Sequence, residues 1–440
     1  MKKDNGKVTL LMCIIVILIL TLSLFALVLY KQINKKGEVM ENSVDDNNVI
    51  IEPTQEENNI TQNQVVLENN EDFEYSFLKM ENNKKNMLYS PLSITYALKM
   101  LQEGSSGNTY IQINNLIGNK ELPTYKNVDK NLSLANGIFI RDSFYNSVKE
   151  EYRNTLMNKY SAEVIKDAFS SSANINKWIE NKTIGIIKKA LDDSALNINT
   201  KAVLVNALAI DMKWKEEFET KDTCGKTFYL ADGSEMKATT MNKETSSDNF
   251  SFYKENNVIA LTMDLEEYEG QQLEFMAIMP DSNLSDYVKD FNEKKIEEID
   301  DNLKKASSTK KGLDISIPKF KFDYNLALKK DLQNLGINDA FDNNVADFSN
   351  MSNEKLFVSD AIHKANIEFS EKGIKAAAVT IFTTETNALY VEEKPIEIKI
   401  DKPFLFLIRD KKTKTNWFIG TVYEPNSWSN DKIKYISIGY

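Results

Sequence analysis

One histidine, His363, is all that 440 residues provide. Nucleophilic catalysis by serine or cysteine needs a base, most often histidine. This one falls in the middle of a strand-like stretch, "SDAIHKANIEF", and no Gly-x-Ser-x-Gly elbow surrounds any serine. Cysteine is nearly as scarce. There are only Cys13 and Cys224, and the first lies in an apolar run, so a disulfide between them is not expected and packing must hold the fold. Several His or Cys ligands for zinc are missing, as is a Gly-rich phosphate loop. No basic, aromatic-interleaved stripe occurs, and the formal net charge is -11, so no nucleic-acid partner is expected. The 65 Asp and Glu offer carboxylates in plenty, but no spacing singles out a catalytic pair. These absences predict no enzyme activity, no cofactor and no metal, with His363 a hydrogen-bonded structural residue.

What is present begins with an uncharged run from Val8 to Tyr30. As a helix it would span roughly 35 Å, enough to cross a bilayer. Lys2, Lys3 and Lys7 precede it and Lys31, Lys35 and Lys36 follow, so charge does not fix its orientation. The run is longer than a usual signal core and "LFALVLYKQ" offers no small-x-small cleavage site, so residues 1–36 are expected to be an uncleaved membrane anchor, with a cleaved secretion signal as the alternative. Residues 37–72 are acidic and carry not one Lys or Arg, a composition that favours a solvated, disordered tether. The body then runs from Phe73 to Pro425 without an internal linker, and residues 426–440 form a tail.

Within the body, Met87, Leu88 and Tyr89 read as a short buried strand, and Ser90 as the cap of a helix with Pro91 at its first position. Leu92, Tyr96, Met100 and Leu101 make its apolar stripe, and Gly104 ends it. "LSLANGIFIR" reads as a strand, while "SVKEEYRNTLMNKYSAEV" and "INKWIENKTIGIIKKAL" read as helices. "TKAVLVNALAIDMKW" is apolar almost throughout, as a strand buried on both faces would be. "LEFMAIMPD" and "LDISIPKFKFD" are further strands, and "NLALKKDLQNLGI" is a helix stopped by Gly336. "KLFVSDAIHKANIEFSEKG" is expected as one long strand, and "IEIKIDKPFLFLIRD" with "NWFIGTVYEP" as a closing hairpin. Helices dominate early and strands later, without βαβ alternation, which indicates an α+β domain with large antiparallel sheets.

Four of these stretches in this order resemble the serpins, the serine-protease-inhibitor fold: "NMLYSPLSITYALKMLQEGSSGNT", "VLVNALAIDMKWKEEF", "AIHKANIEFSEKGIKAAAVT" and "DKPFLFLIRDKKTKTNWFIGTVYEP". The resemblance implies a serpin-like fold with a bundle of helices and an exposed reactive loop near the C-terminus. It implies that Ser90, Ser93, Asn206 and His363 form the cluster called the shutter beneath the central sheet. It implies that Trp214 marks the breach where the loop first enters, and that Trp178 is a helix tryptophan of the family. The hinge of the loop would be Glu371, Gly373, Ile374, Ala376, Ala377, Ala378 and Thr380.

The implied function is suicide inhibition of an endopeptidase, of serine or cysteine class, by a monomeric protein outside the cell. The alternative is a non-inhibitory serpin acting as a surface binding module, chaperone or decoy. Small residues at Ala376, Ala377 and Ala378 favour the first, because the inserting segment must take up extended geometry quickly. Alternation puts Ile374, Ala376, Ala378, Thr380, Phe382 and Thr384 on one face, and both charges, Lys375 and Glu385, on the other. Ile374 and Lys375 depart from the family's usual Thr or Ser and Glu. Counting from Glu371 predicts cleavage at Asn387–Ala388. Counting back from the strand at Pro395 suggests Tyr390–Val391, and the window is Thr383 to Lys394.

Overall fold

The computed structural model describes residues 73–118, 121–128, 130–255, 257–306, 312–361, 363–374 and 395–429. The membrane segment from Val8 to Tyr30, the tether at 37–72, the alanines and Thr380 of the hinge, both candidate cleavage bonds and residues 430–440 lie outside them. Among the described residues no helix is long and apolar enough to cross a membrane.

The body starts with α1 (Phe73–Met80), β1 (Met87–Tyr89), α2 (Pro91–Gly104) and α3 (Gly107–Ile117). β2 (Leu132–Arg141), α4 (Glu150–Tyr160), β3 (Glu163–Asp167) and α5 (Ala173–Lys182) come next. A run of strands follows: β4 (Ala202–Ile210), β5 (Met212–Lys213), β6 (Cys224–Tyr229), β7 (Glu235–Thr245), β8 (Phe250–Glu255), β9 (Val258–Tyr268) and β10 (Gln271–Pro280). Then come α6 (Leu284–Lys289), α7 (Glu293–Ala306), β11 (Leu313–Pro318), β12 (Phe320–Leu326) and α8 (Leu328–Asn334). The chain closes with β13 (His363–Ser370), β14 (Gly373–Ile374), β15 (Ile396–Lys399), β16 (Phe404–Asp410) and β17 (Asn416–Val422).

Among the described residues these strands make four sheets: β1-β17-β16-β10-β9-β8, β15-β11-β7-β6, β12-β13-β14-β5 and β3-β2-β4. All neighbours are antiparallel except β11 with β15 and β2 with β3. The expected α+β architecture with large antiparallel sheets is what is observed. The core lies under the six-stranded sheet, where every residue of β16 and β17 is buried.

Several elements are shorter than the sequence pattern suggests, each for a local reason. The α4 stretch ends at Tyr160 because Ser161 turns left-handed at φ 51°, and Glu163 onward becomes β3. α5 stops at Lys182, where Ile184 and Gly185 take positive φ and the chain leaves helical space. "LDISIPKFKFD" divides at Pro318, which cannot donate to a ladder, so β11 and β12 join different sheets. Pro403 likewise separates β15, parallel to β11, from the β16–β17 hairpin. Only the second half of the expected long strand, β13, is regular.

The strand expected to be buried on both faces is not. Residues 202–206 of β4 are half-buried, while 207–210 are fully buried. Sequence hydrophobicity reports the average environment of such a strand. It does not report that one edge faces a cleft.

Candidate functional site

β4 and β5 are nearly continuous, separated by Asp211 alone, yet they belong to different sheets. β14 joins β5 to β13, pairing antiparallel with both: Ile374 faces Met212 on one side and Phe369 on the other. β5 and β13 therefore run parallel, two inter-strand steps or roughly 9.5 Å apart. Beyond Ile374 the same two chains run on as β4 and β13. Among the described residues no strand pairs with their facing edges. They flank a cleft of about 760 Å³ whose floor includes Ser90, Ser93 and Ile94 of the α2 turn. The sheet is split by the width of one strand, and β14 already fills the first two positions.

The polar cluster predicted for this place is assembled at the floor of the cleft. The side chain of Ser90 caps α2, accepting from the Ser93 amide at 3.1 Å, and Pro91 needs no amide partner there. The Ser90 amide donates to Nε2 of His363 at 3.0 Å. Ser93 Oγ donates to Oδ1 of Asn206. One turn of α2 thus ties both sides of the split, Ser90 to β13 and Ser93 to β4. Asn206 Nδ2 donates to Asn136 Oδ1 at 2.7 Å, and Asn136 Nδ2 to the Tyr160 carbonyl at 2.8 Å. Asn136 belongs to this relay and was not singled out from sequence; an asparagine inside the apolar strand "LSLANGIFIR" was the available signal. Burial holds the His363 pKa down to about 4, so the ring is neutral and Nε2 is free to accept.

At the upper end stands Trp214, 2% exposed. Its amide donates to the Lys372 carbonyl at 3.0 Å and its indole N–H to the Ser370 carbonyl at 2.8 Å, clamping the β13–β14 turn. Its ring packs edge-on to Phe369 at 5.3 Å and Phe275 at 6.0 Å, and Phe320 stacks on Phe369 at 4.6 Å. Gly373 is required here: φ is +149° and a Cβ would strike the Met212 carbonyl. Trp178 lies elsewhere, on α5 above Gly137, its N–H donating to Glu163 at 2.8 Å. It does not join the cleft cluster.

Glu371 sits in the turn, 6% exposed. Lys319 Nζ donates to Oε2 at 2.6 Å and Thr223 Oγ1 to Oε1 at 2.8 Å. The Phe218 amide donates to its carbonyl at 2.8 Å. Burial pushes the carboxyl pKa up, but Lys319, a backbone amide and Thr223 together outweigh it and hold the group below its ordinary value. Lys319 and Thr223 were not legible beforehand, since neither stretch has a distinctive pattern. Among the described residues no group of His, Cys, Asp and Glu could hold a metal ion, and Cys224 is an exposed free thiol.

Comparison with known proteins agrees with this geometry. The family model described as Serpin (serine protease inhibitor) matches residues 68–425. A serpin-like protein of Methanosarcina acetivorans is 31% identical over 363 residues, spanning 78% of this chain and 82% of that protein. The leukocyte elastase inhibitor of Xenopus laevis is 30% identical over 78% of this chain and 95% of its own length. The crystal structure of the thermophilic serpin tengpin in its native state superposes with a TM-score of 0.67 at 28% identity, covering 80% of this chain and 93% of that one. A relative named as an elastase inhibitor thus shares sequence, and a solved serpin shares fold, with a body whose sheet is split between β4 and β13 and whose β13–β14 turn is clamped. This chain belongs to the serpin family.

Proposed function

We propose that the chain is a suicide-type inhibitor of an endopeptidase of serine or cysteine class, held at the outer face of a membrane by the segment from Val8 to Tyr30 through the tether at 37–72. If the first segment is cleaved, the same domain would be secreted. The nucleophile of the target attacks the carbonyl carbon of Asn387. The Asn387–Ala388 bond breaks, Ala388 leaves with a proton as a new amino terminus, and the target stays attached as an acyl ester or thioester. Water would normally release it. Insertion of the loop's N-terminal part into the split sheet carries the target away and distorts it first.

The observation that carries this reading is β14. It is the seed of the missing strand, antiparallel to both edges, with Ile374 buried among the core-facing residues of β13. Carried on without a bulge, its register would set Ala376 beside Ile367 and Ile210, Ala378 beside Ala365 and Leu208, and Thr380 beside His363 and Asn206. The three core-facing positions of β13 above His363 are buried, so small residues suit the inserting face. Thr380 would arrive where a hydroxyl can exchange hydrogen bonds with the polar cluster. About ten inserted residues, each gaining backbone bonds worth about 1 kcal/mol net, would release on the order of 10 kcal/mol.

Ala378→Arg tests this. An unpaired charge between Ala365 and Leu208 costs several kcal/mol, while the uncut loop has no such demand. The variant should be cut at the parent's bond but form no covalent complex, whereas Lys375→Arg on the opposite face should trap the target as the parent does. Equal trapping by Ala378→Arg would sink the insertion mechanism. The mass of the released C-terminal peptide identifies the bond: a start at Ala388 fits this reading, and a start at Val391 moves the bond to Tyr390–Val391. Absence of any covalent complex, from the parent as well, would favour a non-inhibitory binding role.

A further inference from the structure

The family match ends at residue 425, but the ordered contacts do not. The Asn426 amide donates to the Lys319 carbonyl at 2.9 Å, and the Asn426 carbonyl accepts from the Thr239 amide at 2.9 Å. The Lys319 amide in turn donates to the Thr239 carbonyl at 2.8 Å, and the Lys321 amide to Asn426 Oδ1 at 3.2 Å. Ser427 bridges to Ala238, and the Trp428 amide donates to the Lys237 carbonyl at 2.8 Å. The Trp428 indole lies over Gly225; a Cβ there would come within 2.7 Å of the ring. Gly225 in this chain leaves the room that Trp428 takes.

Both contact points lead to the same carboxylate. Lys319 has its carbonyl held by Asn426 and its amide by Thr239 of β7, which aims its side chain at Glu371. Gly225 lies two residues beyond Thr223, the other donor to Glu371. We infer that residues 426–428 are a retaining strap that holds the two partners of Glu371 in place and so sets how readily the chain beyond β14 enters the cleft before any cleavage. This rests on the insertion reading above. A strap placed on the outside of the two donors can act without touching the target protease or the loop. It slows premature insertion of the uncut loop and leaves the consequences of cleavage to the loop itself.

The experiment uses the full chain, uncut, held at one elevated temperature. Conversion is followed as loss of protease trapping together with the appearance of a faster-migrating, heat-resistant form on native gels. Trp428→Ala should convert about fivefold faster than the parent, and termination after Pro425 faster again. If the strap acts through the Glu371 partners, its loss matters little once they are gone. In a Lys319→Ala background, Trp428→Ala should therefore add less than about twofold. Should Trp428→Ala fail to fold, Trp428→Leu carries the same comparison. Conversion at the parent's rate, or an equal speeding in both backgrounds, would overturn the strap, the second because it would then be a general stabiliser of the β6–β7 edge. A parent that neither converts when warmed nor gains heat resistance when cut would remove the insertion reading, and the strap with it. A parent that converts while the variants match it removes the strap alone.

Discussion

The six-stranded sheet and the split sheet are built from similar strands and held by different means. In the first, β16 and β17 are buried at every position, and Phe275 and Phe406 stack at 5.7 Å. Its one internal cation, Arg409, is 2% exposed and fully paired: to Glu274 at 2.8 Å through Nε and to both oxygens of Asp300 on α7. Lys414 adds a second bond to Glu274 at 2.9 Å. In the split sheet, among the described residues, no strand pairs with the two facing edges along the cleft, and Ser90 and Ser93 tie them across it by single hydrogen bonds. Apolar packing and a buried ion pair have no alternative partner and resist change. Serine, asparagine and neutral histidine bonds can be exchanged one at a time for those of an arriving strand. On the insertion reading proposed above, permanence and readiness to rearrange are assigned to separate sheets of one domain.

Three perturbations would break or sharpen that contrast. The largest is Arg409→Ala, which strands Glu274 and Asp300 under the permanent sheet. Removal of one partner from a buried pair costs about 3–5 kcal/mol. It should lower the denaturant midpoint of the uncut and the loop-cleaved protein alike. A loss confined to the uncut form would place Arg409 in the rearranging part and dissolve the distinction.

Next in size is acid. The His363 pKa stands at about 4 in the folded protein against an ordinary 6.5. Between those values the unfolded chain binds a proton that the folded chain refuses, so stability rises with pH across that window. Falling from pH 6.5 to 4, this group alone should remove about 3 kcal/mol; above 6.5 it should change nothing. Protonated Nε2 would face the Ser90 amide donor for donor. Urea midpoints measured across the window should slope more steeply for the parent than for His363→Gln. Identical slopes would mean that the ring is not held neutral at the split.

The smallest effect is expected at the seed. Gly373→Ala forces a Cβ into positive φ and against the Met212 carbonyl, a strain of about 2 kcal/mol. It should loosen β14 from β5 and leave the six-stranded sheet untouched. Hydrogen exchange of the Ile374 amide should quicken while amides of β16 keep their protection. Unchanged exchange at Ile374 would show that β14 is not anchored by this glycine.

Much of the site was legible before any coordinates. Ser90 and Pro91 announce a helix start through capping chemistry that depends only on neighbours, whereas the positive φ of Gly373 came from the structure. The grouping of Ser90, Ser93, Asn206 and His363 came from resemblance, since nothing local links residues that far apart. Asn136, Lys319 and Thr223 were missed for the same reason. Each acts through a partner more than fifty residues away, and each lies in a stretch whose pattern serves its own strand or turn equally well without that partner.

By itself the sequence determined which residue types are scarce, the alternation of small residues after Gly373, and most strands and helices, because composition, capping and periodicity are local properties. Only the tertiary structure decided that β4 is half-exposed along a cleft, that β14 already occupies its upper end, that Glu371 is held from two sides, and that residues 426–428 reach Lys319. Those are relations between edges and between distant side chains, and an edge is defined by what lies beside it in space, which a one-dimensional pattern does not encode.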